Sequence, residues 1–260
     1  MSIGIYMPAY NVEKYVIKSI QSIQAQTFKD WELAIMDDCS QDSTYEILSK
    51  YLESNPDLRI NLYKREEHCG RIGQIKNECI ALLGNHDYIC HVGSDDYITE
   101  NCFQVFSTYL NEHPEIGACC GSFICFDDEG KEWIFPHVAN SGEYNPNTLL
   151  QYMCLFHMRM YRKKIVEQIG GYSNELTCAV DYDLALKVDE VTKIHRIKEP
   201  AMYYYRQHSQ QISNRGRTEQ DLNAKKALQL ALARRGINGA VVNDKPPFVI
   251  QRFGSYIWGK

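Results

Sequence analysis

Residues 87–96 read DYICHVGSDD, an apolar run that ends in a glycine and two adjacent carboxylates, Asp95 and Asp96. A short apolar run closed by a turn residue is typical of a buried strand. Adjacent carboxylates at the end of such a strand repel each other and lose hydration unless a cation binds. Hard oxygen ligands favour Mg²⁺ or Mn²⁺, which substrate phosphates commonly complete. The alternative is that Asp95 caps a following helix and Asp96 is solvated.

The chain before this run alternates between strand and helix patterns. Apolar runs predict strands, and helical spacing predicts helices, the first with Asn11 as its N-cap. The strands are expected at 2–7, 31–36, 58–63 and 87–92, and the helices at 12–26, 43–52 and 72–83. This alternation predicts a parallel sheet with covering helices, in which ligands bind beyond the carboxyl ends of the strands. We therefore expect the polar clusters at 8–11, 37–42 and 93–96 to meet at one sheet edge.

The second half of the chain is less regular. Residues 116–126 are expected to form one strand, 127–148 a loop, and 180–188 a short helix. Residues 219–235 have an amphipathic helical pattern, which predicts a helix packed on the domain. The alternative is a helix that contacts a partner or a membrane surface, favoured by four basic residues. These are Lys225, Lys226, Arg234 and Arg235.

The bulk composition is that of a globular protein. The 260 residues, 44% hydrophobic and 23% charged, are enough for one large α/β domain or two small ones. A net charge of −5 argues against nucleic acid as the main partner. Ten scattered cysteines without C-x-x-C pairs favour a reducing compartment. We therefore expect a cytoplasmic protein, with the inner membrane surface as the alternative, and the chain has no run apolar enough to span a membrane.

Further polar clusters suggest chemistry. A carboxylate within Asp37–Asp42 suits the base N–H or ribose hydroxyls of a nucleoside, or else a turn before a helix. Asp181 suits a general base, or else a helix-start charge. Arg206 and His208 suit a phosphate and a metal, or else the surface. The chain has no glycine-rich dinucleotide or P-loop motif, which weakens those readings.

Taken in order, these clusters resemble family 2 glycosyltransferases, the large inverting family with the GT-A fold. The order and spacing of the matching segments agree from residue 2 to about residue 215. They are Met7-Pro8-Ala9-Tyr10-Asn11, Gln26-Thr27-Phe28, Asp37-Asp38-x-Ser40-x-Asp42, Gly70-x-x-Gly73 with Asn77, Ser94-Asp95-Asp96, Gly170-Gly171-Tyr172, Asp181-Tyr182-Asp183-Leu184 and Tyr205-Arg206-x-His208. One such motif is weak evidence, whereas the ordered set is specific.

Within that family, two segments resemble the glucuronic-acid-transferring half of bacterial chondroitin polymerases and two-domain hyaluronan synthases. They are His157-x-Arg159-Met160 and Ala179-Val180-Asp181-Tyr182-Asp183-Leu184. Those enzymes carry two transferase domains, and this sequence carries one, so the resemblance implies addition of one kind of sugar. If the donor is UDP-glucuronate, His157 and Arg159 are the expected partners of its carboxylate. The alternative is a structural pair in a core strand.

The resemblance also implies a role for each cluster. Residues expected at the uracil, ribose and diphosphate are Pro8, Tyr10, Asn11, Asp38, Gly70, Arg71, Ile72, Gly73, Asn77 and Asp95. Asp95, Asp96 and His208 are expected to hold Mn²⁺ or Mg²⁺, and Asp181 to act as the general base. Two positions depart from the family pattern. Gly93 replaces the first Asp of the usual D-x-D, which implies a weaker or two-carboxylate metal site, and Val180 replaces an acidic residue before the base.

We therefore expect an α/β protein with the GT-A fold, a mostly parallel Rossmann-like sheet with flanking helices and a C-terminal acceptor-side region. Residues 1–97 are expected to form the nucleotide-sugar half, 98–218 the acceptor half, and 219–260 a helix and tail packed on the domain. The expected reaction moves a sugar from UDP-glucuronate or a UDP-N-acetylhexosamine to a carbohydrate or glycolipid acceptor in cell-surface polysaccharide synthesis. The alternative is a nucleotide-sugar-binding protein with weakened catalysis. A nucleotidyltransferase is disfavoured because its basic phosphate loop is absent.

Overall fold

The computed structural model describes residues 1–135, 144–198, 200–208, 217–244, 246–247, 250–252 and 255–258. The strands are β1 Ile3–Ala9, β2 Trp31–Asp37, β3 Ile60–Lys64, β4 Tyr88–His91, β5 Tyr97–Ile98, β6 Ile116–Cys120, β7 Phe123–Phe126, β8 Glu132–Trp133, β9 Arg159–Arg162, β10 Lys193–Arg196, β11 Tyr203–Arg206, β12 Val241–Val242, β13 Ile250–Arg252 and β14 Ser255–Trp258. The helices are α1 Val16–Gln24, α2 Thr44–Ser54, α3 Ile72–Leu82, α4 Cys102–Glu112, α5 Pro146–Leu149, α6 Lys163–Gln168, α7 Val180–Val191 and α8 Arg217–Arg234.

The predicted parallel sheet is confirmed. A seven-stranded sheet has the order β10-β6-β9-β4-β1-β2-β3, and β1 pairs in parallel with both β2 and β4. Every residue of β1 is buried, as expected for a parallel strand covered on both faces. The chain order reverses around β1, and such a point opens a crevice at the carboxyl edge of a sheet.

One strand of this sheet runs against its neighbours. β9 lies antiparallel between β4 and β6, with Cys90 opposite Met160. Its first residue, Arg159, therefore lies at the edge where the parallel strands end. A segment far along the chain thus delivers a cation to the same edge as the turn after β4.

The strand expected at 116–126 is wrong as a single element. β6 belongs to the central sheet, whereas β7 belongs to a four-stranded sheet of order β5-β11-β7-β8. The chain changes sheets at Gly121, where an added Cβ would lie 3.0 Å from Phe106 Cζ and 3.2 Å from the carbonyl oxygen of His157. An apolar run looks the same whether it continues in one sheet or passes to another, so periodicity does not reveal the break.

Two other local expectations differ from the structure. The first helix begins at Val16, not after an Asn11 cap, and Asn11 has a positive φ of 53° in the turn before it. The segment expected as a loop at 127–148 contains β8 and the start of α5, and its residues 136–143 lie outside the described residues. The helices expected at 43–52, 72–83 and 180–188 are present as α2, α3 and α7.

The C-terminal helix packs against α7. Ala227, Leu228, Ala231 and Leu232 of α8 are buried. The four basic residues named above are paired within the chain: Lys225 with Asp244, Lys226 with Glu175, Arg234 with Glu190, and Arg235 with Asp189. This pairing lowers the charge that α8 offers to a membrane surface. Among the described residues, no helix is long and apolar enough to cross a bilayer, and all ten cysteines are free thiols.

Gly73 allows α3 to approach the loop before α7. An added Cβ would lie 2.4 Å from the Ser173 carbonyl oxygen and 3.2 Å from Val180 Cγ1. Gly→Ala in an exposed helix stabilises by about 1 kcal/mol, but here the methyl group has to displace backbone. We predict that Gly73→Ala lowers the Tm in thermal unfolding, while Gln74→Ala, at the partly exposed next position, changes it little. A raised Tm for Gly73→Ala would show that α3 is not closely packed here.

Candidate active site

The clusters that follow β1 and β2 meet, as predicted. The backbone N–H of Asn11 donates to Ser40 Oγ at 3.1 Å, and that of Gln41 donates to Asn11 Oδ1 at 2.8 Å. Asn11 and Cys39 both have positive φ, which turns the backbone sharply after each strand. The two turns are thereby joined into one rim at the carboxyl edge of the sheet.

Asp38 and Tyr10 form the floor of this rim together with a histidine. The Tyr10 ring stacks on His68 with centroids 4.2 Å apart, and His68 Nδ1 lies 2.7 Å from Asp38 Oδ2. The Cys69 N–H donates to Asp38 Oδ1, and Arg65 Nε lies 3.3 Å from the same atom. Burial raises the pKa of Asp38, and these neighbours offset only part of that rise. The arrangement is a flat aromatic surface beside a hydrogen-bond acceptor, which suits a nucleobase.

His68 and Arg65 were not found from the sequence. A signal was available, because Arg65 follows β3 directly, His68 lies in the same segment, and the ends of β1, β2 and β3 meet at the same sheet edge. Basic residues after a third parallel strand are therefore placed beside the acidic turn that follows the second.

The other predicted nucleotide residues lie around the start of α3, and Pro8 lies buried in β1 opposite Met36. Gly70 has a positive φ of 65°. Arg71 donates to the carbonyl of Asn174 at 2.8 Å, which ties the turn to the loop before α7. Asn77 donates to the Tyr172 carbonyl and accepts from the Tyr172 N–H, both at 2.9 Å. Its amide is therefore occupied in holding that loop, and Ile72 packs partly buried against the core.

The carboxylates after β4 point to different partners. Asp96 is buried, accepts from the Tyr203 hydroxyl at 2.6 Å and from the Arg206 N–H at 2.9 Å. Burial, and then the charge of Asp95, raises the pKa of Asp96 well above its ordinary value. Asp95 is more open, with a side chain 23% exposed, and its Oδ2 lies 3.0 Å from His208 Nε2. Asp96 thus anchors the loop to β11, and its expected role as a metal ligand stays a prediction, while Asp95 and His208 face each other at the site.

The donor set fits a hard divalent cation that a diphosphate completes. One carboxylate and one imidazole are ligands that Mn²⁺ accepts, and His208 Nε2 lies 3.0 Å from Asp95 Oδ2. Within the described residues, no three His, Cys, Asp or Glu side chains group as a metal site. Most of the coordination sphere would therefore come from substrate and water, as is usual for Mg²⁺ and Mn²⁺ at phosphates.

The structure gives a reason for Gly93. A Cβ at that position would lie 2.4 Å from Asp96 Oδ2 and 3.0 Å from Asp95 Oδ1. Its N–H donates to the Tyr203 hydroxyl, and its carbonyl accepts from Ser19 Oγ. The space that the first Asp of a D-x-D would need is taken by the two carboxylates that follow.

We predict that Gly93→Asp does not improve metal binding. The new side chain collides with Asp96 and adds a further carboxylate beside Asp95 and Asp96, so we expect a loss of about 1–3 kcal/mol in the free energy of unfolding and no tighter Mn²⁺ binding. Denaturant unfolding and Mn²⁺ titration measure both. Gly93→Ala isolates the steric part. Wild-type stability with tighter Mn²⁺ binding in Gly93→Asp would show that the loop has room for the usual motif.

The predicted base, Asp181, lies at the start of α7 between two cations. Lys76 Nζ is 2.6 Å from its Oδ1, and Arg159 Nη2 is 2.9 Å from its Oδ2. Burial raises the pKa of Asp181, but Arg159 and Lys76 outweigh it, so that the pKa lies well below its ordinary value. Its side chain is still 31% exposed. Asp181 is thus a charged, oriented carboxylate with one open side.

Arg159 and His157, expected at a donor carboxylate, contact each other. Arg159 Nη2 lies 2.9 Å from His157 Nε2, and burial, then Arg159, lowers the pKa of His157 well below its ordinary value. The neutral His157 ring stacks on Tyr203 with centroids 4.6 Å apart. Arg159 also bonds Asp181, so its guanidinium is already paired in this structure. The binding of a donor carboxylate by Arg159 and His157 stays a prediction.

Comparison with known proteins agrees with this geometry. The model of the family described as glycosyl transferase family 2 matches residues 4–170. The chain belongs to this family. Chondroitin synthase of Escherichia coli is 27% identical over 235 residues, which are 90% of this chain and 33% of that protein. The chain thus spans about a third of that relative.

Solved structures show the same fold. TarS of Staphylococcus aureus in complex with UDP-GlcNAc superposes with a TM-score of 0.73 and 19% identity, covering 90% of this chain and 66% of that one. The mannosyltransferase PcManGT of Pyrobaculum calidifontis, in complex with GDP-Man and Mn²⁺, gives a TM-score of 0.64 and 15% identity, covering 91% and 64%. The predicted GT-A-type α/β fold is confirmed.

Proposed function

We propose that the protein is a glycosyltransferase that moves a sugar from a UDP-sugar to a hydroxyl of a carbohydrate or glycolipid acceptor, with inversion, in cell-surface polysaccharide synthesis. One observation carries the proposal. The Asp95–His208 pair and the Asp181 carboxylate lie near the carboxyl edge of the central sheet in a family 2 domain. Asp96, next to Asp95 in the chain, is linked to Asp181 by the contacts of Tyr203, His157 and Arg159.

The UDP end is supported by the rim after β1 and β2. Tyr10 offers an aromatic face beside Asp38. The Asp38 side chain is 3% exposed and paired with His68 and Arg65, so its proposed bond to a base N–H or a ribose hydroxyl uses the remaining lone pairs of its oxygens. A neighbour of the same fold holds UDP-GlcNAc. The donor is therefore proposed as a UDP-sugar, with UDP-glucuronate and UDP-N-acetylhexosamines as the candidates to test first.

The transfer step places the proton on Asp181. The acceptor oxygen bonds the anomeric carbon as the bond to the diphosphate breaks, and that bonding pair leaves with UDP. The hydroxyl becomes strongly acidic as its oxygen forms the new bond, so even a carboxylate of low pKa accepts the proton at that stage. Attack from the side opposite UDP inverts the anomeric configuration.

The Asp95–His208 pair is proposed as the place where the negative charge of the leaving diphosphate is stabilised. Asp95 and His208 would hold a divalent cation, which would supply positive charge for the diphosphate as it leaves. Asp96 keeps the loop of Asp95 in place through Tyr203 and the Arg206 N–H. Because such a leaving group needs no proton, one carboxylate base suffices, unlike the carboxylate pair of glycoside hydrolases.

The cellular location and the division of the chain into functional parts are also proposals. We place the protein in the cytoplasm, where nucleotide sugars and free thiols coexist. Residues 1–97 are proposed as the nucleotide-sugar half, 98–218 as the acceptor half, and α8 with the tail as a segment packed on it. The competing proposal, a binding protein with weakened catalysis, is favoured by Gly93, and turnover of a UDP-sugar with Mn²⁺ would remove it.

Asp181→Asn tests the base. The amide keeps the shape but accepts no proton, so we predict a fall in kcat of about a hundred- to ten-thousand-fold with UDP affinity almost unchanged. UDP release and calorimetric UDP binding measure these quantities. Asp189→Asn, on the same helix but paired with Arg235, is the matched control. Retained turnover in Asp181→Asn would assign the proton to another group.

Metal removal tests the diphosphate centre. We predict that EDTA stops UDP release, that Mn²⁺ restores it, and that His208→Ala raises the Mn²⁺ concentration required for half-maximal rate. His113→Ala, an exposed histidine after α4, is the control and leaves that concentration unchanged. Full activity in chelator would remove Asp95 and His208 from this role.

A further inference from the structure

Lys76 is a buried cation that the transfer chemistry above does not use. Its side chain is 5% exposed and lies on α3 beside the buried residues Ile75 and Cys79. An ammonium group leaves water at a large cost unless it is paired. Its partner is Asp181 Oδ1 at 2.6 Å, and its Nζ also lies 5.0 Å from the centre of the Tyr172 ring.

The second oxygen of Asp181 has a cation of its own. Arg159 on β9 bonds Oδ2, so the carboxylate of α7 is held at both oxygens by residues from two other elements. One contact would leave the carboxylate free to rotate about its bond to Cβ. Two contacts from different directions fix its plane and thereby the direction of its remaining lone pairs.

The other titratable groups near Asp181 have pKa values shifted toward their neutral forms. They are His91 on β4, His157 before β9, Tyr6 on β1, Tyr161 on β9 and Tyr172 before α7. Burial lowers the pKa of both histidines and raises the pKa of the three tyrosines. Burial also lowers the pKa of Lys76, and Asp181 offsets part of that fall. The charged form of Asp181 is favoured most by Arg159, next by Lys76 and then by His91, and only the first two bond its oxygens.

We propose that Lys76 is a positioning residue of the transfer reaction, which with Arg159 clamps both oxygens of Asp181 and keeps it an oriented carboxylate. The proposal rests on the proposed function, in which Asp181 takes the acceptor proton. Lys76 does not touch the reacting atoms and acts through Asp181. The alternative is a purely structural role, in which Lys76 only stabilises the packing of α3 against α7.

The two readings differ in their effect on pH. Without the ammonium, the carboxylate loses one of the cations that favour its charged form, so Asp181 takes up a proton at a higher pH. The rate of an enzyme that needs the carboxylate then falls on the acid side at a higher pH than in the wild type. A packing role alone would lower stability and leave the titration of Asp181 where it is.

The experiment follows the Asp181 carboxyl carbon by ¹³C NMR in protein labelled at aspartate, with the resonance assigned by its loss in Asp181→Asn. Wild type, Lys76→Met and Lys76→Arg are titrated toward acid. Lys187→Met is the matched control, because Lys187 pairs with the buried Asp183 on the same helix at 2.8 Å without touching Asp181. The pH profile of kcat/KM for UDP release is measured for all four proteins.

We expect the wild-type carboxyl to stay ionised until acid unfolding, Lys76→Met to titrate at a pH at least about one unit higher, and Lys76→Arg to return toward wild type. The acid limb of kcat/KM should move upward in Lys76→Met alone. An unshifted titration in a folded Lys76→Met, or an Arg variant that behaves like Met, would overturn the proposal. So would a wild-type Asp181 that titrates like an exposed aspartate, which decides the case even if Lys76→Met does not fold.

The outcome separates this proposal from the proposed function. Activity retained in Asp181→Asn refutes the base and with it the positioning role. An inactive Asp181→Asn combined with an unmoved ¹³C titration in Lys76→Met leaves the base in place and refutes only the clamp.

Discussion

A carboxylate that leaves water has to find cations or hydrogen-bond donors, and this requirement organises the whole carboxyl edge of the sheet. Asp181 takes its partners from α3 and β9, Asp96 from β11, and Asp38 from the segment after β3. Each acidic residue thereby ties its own strand or helix to one that is distant in sequence. The sheet brings the ends of these strands and helices together, and the paired carboxylates then fix their relative positions.

The same requirement connects the two chemical centres. The Tyr203 hydroxyl bonds Asp96, its ring stacks on His157, and His157 contacts the guanidinium that bonds Asp181. A neutral His157 is what this chain of contacts needs, because a protonated ring would repel Arg159. Burial first, and then the charge of Arg159, lowers the pKa of His157 and favours the neutral ring.

Local pattern was enough for the first half of the fold. β1, β2, β4 and α3 lie close to where apolar runs and helical spacing predicted them, because a buried parallel strand and a covering helix differ in period. The change of sheet at Gly121 was missed, since no period changes there. The site followed the same division. Asp38, Asp95 and Asp181 are readable as carboxylates at element ends, whereas the partners that decide their charge are brought by tertiary contacts.

Lys76 shows that a tertiary contact can sometimes be predicted from the local sequence pattern. It lies on the buried face of α3, one residue after Ile75 and three before Cys79, in a position where an apolar side chain is the rule. A lysine there has to be paired, and the paired group has to be an acid brought by another element. Gly93 is the opposite case. The sequence suggests that the metal motif lacks a carboxylate there, but the loop has no room for one. A departure from a sequence pattern can therefore be interpreted only when the space and the charges around the residue are known. At Gly93 the space is filled by the carboxylates of Asp95 and Asp96, and at Lys76 the charge is paired with Asp181.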